Sequence, residues 1–84
     1  MSTIKNKTVE IRVGQVWRDL DVRNTITRYI AVTRLTGQYN RGFYAVRCDP
    51  DGHIFPGGKR RYQTAAFARR VGHKSGFALH KDAK

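Results

Sequence analysis

Residues 59–81 contain Lys59, Arg60, Arg61, Arg69, Arg70, Lys74 and Lys81 and no acidic residue. Seven cations uninterrupted by a carboxylate are a pattern that neutralises phosphates, because every phosphate contact releases a condensed counterion. Arginine outnumbers lysine eleven to six over the chain, which favours flat, bidentate contacts with phosphate or base edges. Tyr39 stands two residues before Arg41, and Tyr62 directly follows Arg60 and Arg61. A tyrosine beside arginines is a stacking platform for an unpaired base. The candidate nucleic-acid-binding residues are therefore Lys59, Arg60, Arg61, Arg69, Arg70, Lys74, Arg41, Tyr39 and Tyr62. The bland reading of the same residues is a solvated basic face, and Trp17, Phe43 or Tyr44, Phe67 and Phe77 are needed simply to fill a core.

Other chemistry finds little support. His53, His73 and His80 fall at no recognised metal-ligand spacing. The single cysteine, Cys48, excludes an internal disulfide, a four-thiolate zinc site and an iron–sulfur cluster held by this chain alone. Asp49-x-Asp51-Gly52 lacks the downstream acidic ligands of a calcium loop and reads as turn chemistry. Gly57-Gly58-Lys59 lacks the spacing of a phosphate-cradling loop, and no Ser/His/Asp order is present. The expectation is a non-enzyme with no cofactor, no metal and no small-molecule substrate.

The chain has 84 residues, a net charge of +11, 39% hydrophobic and 11% aromatic content. That is one small folded domain with a strongly cationic surface and an anionic partner. The charge is not a tail: residues 1–42 carry 8 basic and 3 acidic groups and residues 43–84 carry 9 and 3. No apolar run approaches the roughly 18 residues of a membrane span, and residues 1–7 lack the apolar segment of a signal peptide. A cytoplasmic protein without membrane contact is expected, with residues 1–7 a flexible tail, 8–80 the domain and 81–84 a frayed end.

Alternation marks the elements that must position these residues. Val9, Ile11 and Val13 alternate with Glu10 and Arg12, Val16 and Trp17 break the phase, and Gly14 sits at the break, which predicts one bent strand over 8–18. Asp19 to Asn24 is a polar loop whose carboxylates can pair with Arg18 or Arg23. Residues 27–35 form a strand with Ile30 and Val32 as the inward pair, while Tyr29, Ala31 and Leu35 on the alternate face leave the phase open. The segment 36–42 is a hairpin loop with Tyr39 and Arg41 at its tip, and 43–48 a strand with Tyr44, Val46 and Cys48 inward. Asp49-Pro50-Asp51-Gly52 is the strongest turn signal. A short apolar stretch at 53–55, a strand or the run into a short helix at 59–63, a helical turn at 64–71 with Thr64 as N-cap and Gly72 as C-cap, and a last strand at 77–79 complete the chain. The predicted fold is mainly β: a small five-stranded antiparallel SH3-like barrel with one short helical turn, an OB-fold being the nearest competitor.

Val13-Gly14-Gln15-Val16-Trp17 followed by Asp19-x-Asp21-x-Arg23 resembles the opening of small uncharacterised proteins of actinobacteria and their phages. The resemblance continues where Gly58-Lys59-Arg60-Arg61 leads to Phe67, and again at Gly76-Phe77-Ala78-Leu79. It runs in patches over about two-thirds of the chain and leaves out residues 38–55. It implies a compact β domain in a phage or actinobacterial setting, acting on host machinery or on DNA, and brings no known activity with it.

Two functions are compatible with these residues. One is a basic nucleic-acid-binding protein, DNA favoured over RNA, that grips phosphate with little sequence preference. The other is a protein-interaction module that docks on an acidic host protein or self-associates into a homo-oligomer through its edge strands.

Overall fold

β-Branched and aromatic residues dominate the two longest strands, β2 (Arg28–Thr36) and β3 (Gly42–Cys48). Around them the computed structural model, which describes residues 9–21, 23, 25–36 and 41–83, places β1 (Val16–Asp19), β4 (Arg60–Gln63), α1 (Thr64–Arg70) and β5 (Phe77–Lys81). The strands form one antiparallel sheet in the order β4-β3-β2-β1-β5. A register shift between Val32 and Arg34 leaves Thr33 unpaired in the β2–β3 ladder, and its hydroxyl donates to the Tyr44 carbonyl at 3.3 Å. Among the described residues no ladder joins β4 to β5. The barrel expected from the sequence is thus represented by an open sheet, whose two ends approach through side chains: the Tyr62 and Phe77 rings lie edge to face at 6.1 Å.

The main core lies on the face covered by α1. Trp17, Ile30, Val32, Phe43, Ala45, Phe67 and Phe77 are buried there, with Phe43 fully inaccessible. Phe67 is the buried residue of α1, and its ring meets Trp17 at 5.0 Å, Phe43 at 5.0 Å, Tyr62 at 5.8 Å and Phe77 at 4.3 Å. A smaller cluster of Val16, Ala31 and Cys48 is buried elsewhere on the sheet, with Tyr29 packed against it.

Several expectations shift. Of the predicted 8–18 strand, residue 8 lies outside the described residues, residues 9–15 are not strand, and residues 16–18 fall in β1. The chain before it bends at Gly14, whose φ of 100° lies in the left-handed region. Gly14 N–H then donates to the Val32 carbonyl at 2.9 Å, so the bend returns the chain to the edge of β2. The third strand has the opposite phase: Phe43 and Ala45, not Tyr44 and Val46, enter the main core. Its sequence is apolar on both faces, and the aromatic cluster around Phe67 decides which face turns inward. Thr64 is the first helical residue and not the cap; Gln63 takes that place with no side-chain cap, because β4 runs straight into α1 without a loop. Residues 53–55 form only an isolated bridge, Cys48 to Ile54. The polar loop does pair as anticipated, Arg23 Nη2 meeting Asp21 Oδ2 at 2.7 Å.

Gln15 is the buried polar side chain, 2% exposed, and its amide is fully used. Oε1 accepts from Arg12 N–H and Trp17 Nε1–H, each at 3.0 Å, while Nε2 donates to the Glu10 carbonyl at 3.0 Å and Asp82 Oδ1 at 3.1 Å. One amide therefore ties the entering segment, the core indole and the C-terminal segment together. No described helix is long and apolar enough to cross a membrane.

Two substitutions test this frame. Gln15→Leu strands the buried Trp17 Nε1–H and is expected to cost about 1–3 kcal/mol for that donor alone, read by urea denaturation. Gly76 passes so close beneath the helix end that an added Cβ would overlap the Arg70 carbonyl. Gly76→Ala should therefore destabilise by about 1–3 kcal/mol, and wild-type stability would show that the chain here relaxes freely.

Candidate nucleic-acid interface

Period-two alternation sends successive β4 side chains to opposite faces of the sheet. Arg60 stands opposite Ala45, on the core face, while Arg61 stands opposite Tyr44 on the outer face. Each is then joined by cations from neighbouring strands, and the edge strand β4 becomes basic on both sides.

On the core face, beyond the aromatic cluster, the sheet forms a recess of about 190 Å³. Arg28, Arg47 and Arg60 line it from three adjacent strands, Ile30 and Ala45 supply buried apolar lining, and Asp19, Gly58 and Tyr62 complete the wall. Register accounts for the grouping, since Asp19 faces Arg28, Ile30 faces Arg47 and Ala45 faces Arg60 across the ladders. Among the described residues no ion pair joins Asp19 to any of these arginines. Arg60 lies over the Tyr62 ring at 5.8 Å, and Tyr62 is stacked on Phe43 at 5.2 Å with 13° between planes. Burial pushes the Tyr62 hydroxyl pKa up. Three guanidiniums against one carboxylate leave the lining of this recess with a net positive charge.

On the outer face Arg34, Tyr44 and Arg61 stand side by side on one rung of β2, β3 and β4. Lys59 Nζ lies over the Tyr44 ring at 5.0 Å. The Arg61 guanidinium runs along β3 over Gly42, 3.0 Å from where a Cβ would sit, so the missing side chain makes room for it. Arg34, Lys59 and Arg61 are exposed, and the half-buried tyrosine is set among them.

The remaining candidates lie elsewhere. Arg69 and Arg70 close α1; the Arg70 guanidinium covers the Phe77 ring at 5.2 Å and donates to the Ser75 carbonyl at 2.8 Å. Lys74 lines a shallow recess that also holds Asp19 and Asp21. Arg41 is exposed and its carbonyl accepts from Thr64 N–H at 2.9 Å. Tyr39 lies outside the described residues. The seven cations of 59–81 are thus distributed around the molecule, and Lys59, Arg60 and Arg61 are the ones that lie at β4, with Tyr62 beside them.

Arg28, Arg47, Arg34 and Tyr44 were missed. Their signal was strand phase: Arg28 shares parity with Ile30 and Val32, and Arg47 shares parity with Phe43 and Ala45. Reading Tyr44, Val46 and Cys48 as inward turned Arg47 away from its partners.

Two other reactive groupings are absorbed by structure. Asp49, Asp51 and His53 offer ligand atoms within 4.8 Å of one another. Asp49 Oδ1, however, accepts from Asp51 N–H at 2.9 Å and His53 N–H at 2.8 Å, and Oδ2 lies 3.0 Å from His53 Nδ1, which is Asx-turn bonding. These bonds hold the Asp49 carboxyl pKa low. Cys48 is buried, and burial, assisted by Asp49, pushes its thiol pKa up, away from the thiolate form that reactive cysteines need.

Comparison of the chain with protein-family models, with curated proteins and with solved structures finds no match.

Electrostatics gives two expectations. Raising ionic strength from about 0.01 M to about 0.15 M shortens the Debye length from about 30 Å to about 8 Å. The Tm of the free protein should rise over that range as repulsion among Arg28, Arg47 and Arg60 is screened; a flat or falling Tm would show that the recess carries no strain. Asp21, hydrogen-bonded by Arg23, has its pKa lowered to about 2. A carboxylate held low in the folded chain contributes stability above its unfolded pKa of about 3.9 and loses it as the pH falls. For Asp21 that loss runs from about pH 4 down to about 2, and Asp21→Asn should flatten the Tm profile there. An identical profile for wild type and variant would mean the pair contributes nothing in solution.

Proposed function

We propose that this chain is a small basic nucleic-acid-binding protein that grips the phosphate backbone with little sequence preference, DNA being favoured over RNA, in a phage or actinobacterial setting. The observation that carries the reading is the gathering around β4 of guanidiniums with no carboxylate ion pair among the described residues: Arg28, Arg47 and Arg60 in a recess on one face, Arg34 and Arg61 beside Tyr44 on the other. Repulsion within each group is relieved by an anion, and a polyanion reaches both. The architecture proposed is an SH3-like barrel. Its support is the strand order β4-β3-β2-β1-β5, the helix inserted between β4 and β5, and the contact of Tyr62 with Phe77 across the open seam. No catalytic step is assigned to these residues.

The outer edge of β5 is bridged to Val71 at Phe77, but beyond it, where Leu79 is 44% exposed, no strand pairs with it among the described residues, which supports a second reading, self-association of the chain through edge pairing. His80 and Lys81 on the same edge oppose it, since charge blunts strand addition.

A gel-shift series with duplex DNA, single-stranded DNA and RNA at two salt concentrations tests the first reading. Affinity should fall with salt at a slope of about −0.9 per phosphate for duplex and about −0.7 for single strands. Arg60→Glu with Arg61→Glu should weaken binding to all sequences alike. Salt-independent binding, or none, would discard the proposal. A protein that sediments as monomer at every concentration would discard self-association.

A further inference from the structure

The recess and the Tyr44 rung lie on opposite faces of the sheet, and β4, the strand between them, is an edge with no neighbour beyond it among the described residues. A ligand touching both must turn around that edge. Duplex DNA, with a persistence length of about 50 nm, does not bend around one strand of a small domain. A single strand does, and it also offers unpaired bases.

The composition of the recess narrows the ligand further. Arg28, Arg47 and Arg60 supply donors for phosphate oxygens and planar guanidinium faces for a flat ring, the buried Ile30 and Ala45 close the floor beneath them, and Asp19 is an acceptor for an exocyclic amine or a sugar hydroxyl. Phosphate, flat ring and hydrogen-bond donor occur together in a nucleotide. A bare anion would leave the guanidinium faces and Asp19 unused. Tyr44, held among Arg34, Arg61 and Lys59, is then the stacking position for a neighbouring base.

We infer that the recess receives one unpaired nucleotide of a single strand, and that the adjacent nucleotides pass around the β4 edge to the Tyr44 face. This rests on the nucleic-acid-binding reading and adds strandedness and a base site to it. Arg47 is the discriminating residue, because it faces the recess and lies away from the Tyr44 rung.

The test is fluorescence anisotropy with labelled oligonucleotides of about 12 nucleotides, as single-stranded DNA, single-stranded RNA and the corresponding duplex, at one fixed salt concentration. Single strands should bind about tenfold or more tighter than duplex, and the tighter of the two names the polymer. Arg47→Ala should lower single-strand affinity about tenfold with less than about twofold effect on duplex, while Arg47→Lys retains part of it. Equal affinity for duplex and single strand, or an equal loss on both with Arg47→Ala, overturns the base site while basic nucleic-acid binding stands. Inorganic phosphate displacing the strand as well as a mononucleotide does would overturn it too, leaving only an anion site. Absence of binding to all three polymers removes both this inference and the reading beneath it.

Discussion

Phe67 is the contact on which the rest of the molecule depends. It comes from the first turns of a seven-residue helix that could not persist in isolation, and it meets aromatic rings from β1, β3, β4 and β5. Removing a buried phenylalanine costs about 3–5 kcal/mol, against a total of about 0.05–0.15 kcal/mol per residue for a typical domain. One ring therefore carries a large share of the stability available to 84 residues. It also sets shape. By drawing Tyr62 and Phe77 toward one centre it curls the sheet, and the curl turns the flat row formed by Asp19, Arg28, Arg47 and Arg60 into a recess.

Tyr62 transmits that geometry to the site. Its ring is stacked on Phe43 and edge-on to Phe67 and Phe77, so one face belongs to the core and the other faces Arg60. From the sequence, a tyrosine after two arginines reads as a stacking platform. In the fold its ring is fixed by the same packing that closes the core, and the half-buried Tyr44 is the tyrosine set among exposed cations. At the other end of the domain Gln15 performs a comparable task with hydrogen bonds, locking the indole of Trp17 and both chain-terminal segments to one amide.

The number of strands, their antiparallel character, the turn at residues 49–52, the bend at Gly14 and the single short helix were all legible, because each rests on local chemistry: alternation, proline and glycine punctuation, a stretch of helix formers. What was not legible depended on phase. In Phe43-Tyr44-Ala45-Val46-Arg47-Cys48 both faces are apolar enough to be buried, and in the structure both are partly so. Only the choice made by Phe67 orients the strand, and with it Arg47. The segment before β1 alternates as a strand does but is held by side-chain bonds from Gln15 instead of a ladder, which no periodicity reveals.

Charge and fold are linked in the same way. A cation-rich chain of this size keeps its arginines apart from its core by placing them at the ends and edges of the sheet, where stems lie on apolar surface and heads reach water. Six carboxylates cannot neutralise seventeen Lys and Arg, and two of those carboxylates are occupied by Arg12 and Arg23 in local pairs. The curl then gathers three of the unneutralised guanidiniums around buried apolar side chains, where like charges share one recess. A fold selected for stability alone gains nothing from that arrangement. In the proposed reading a bound anion relieves that repulsion, and the planar guanidiniums that hold its charge are also the faces on which a ring can lie.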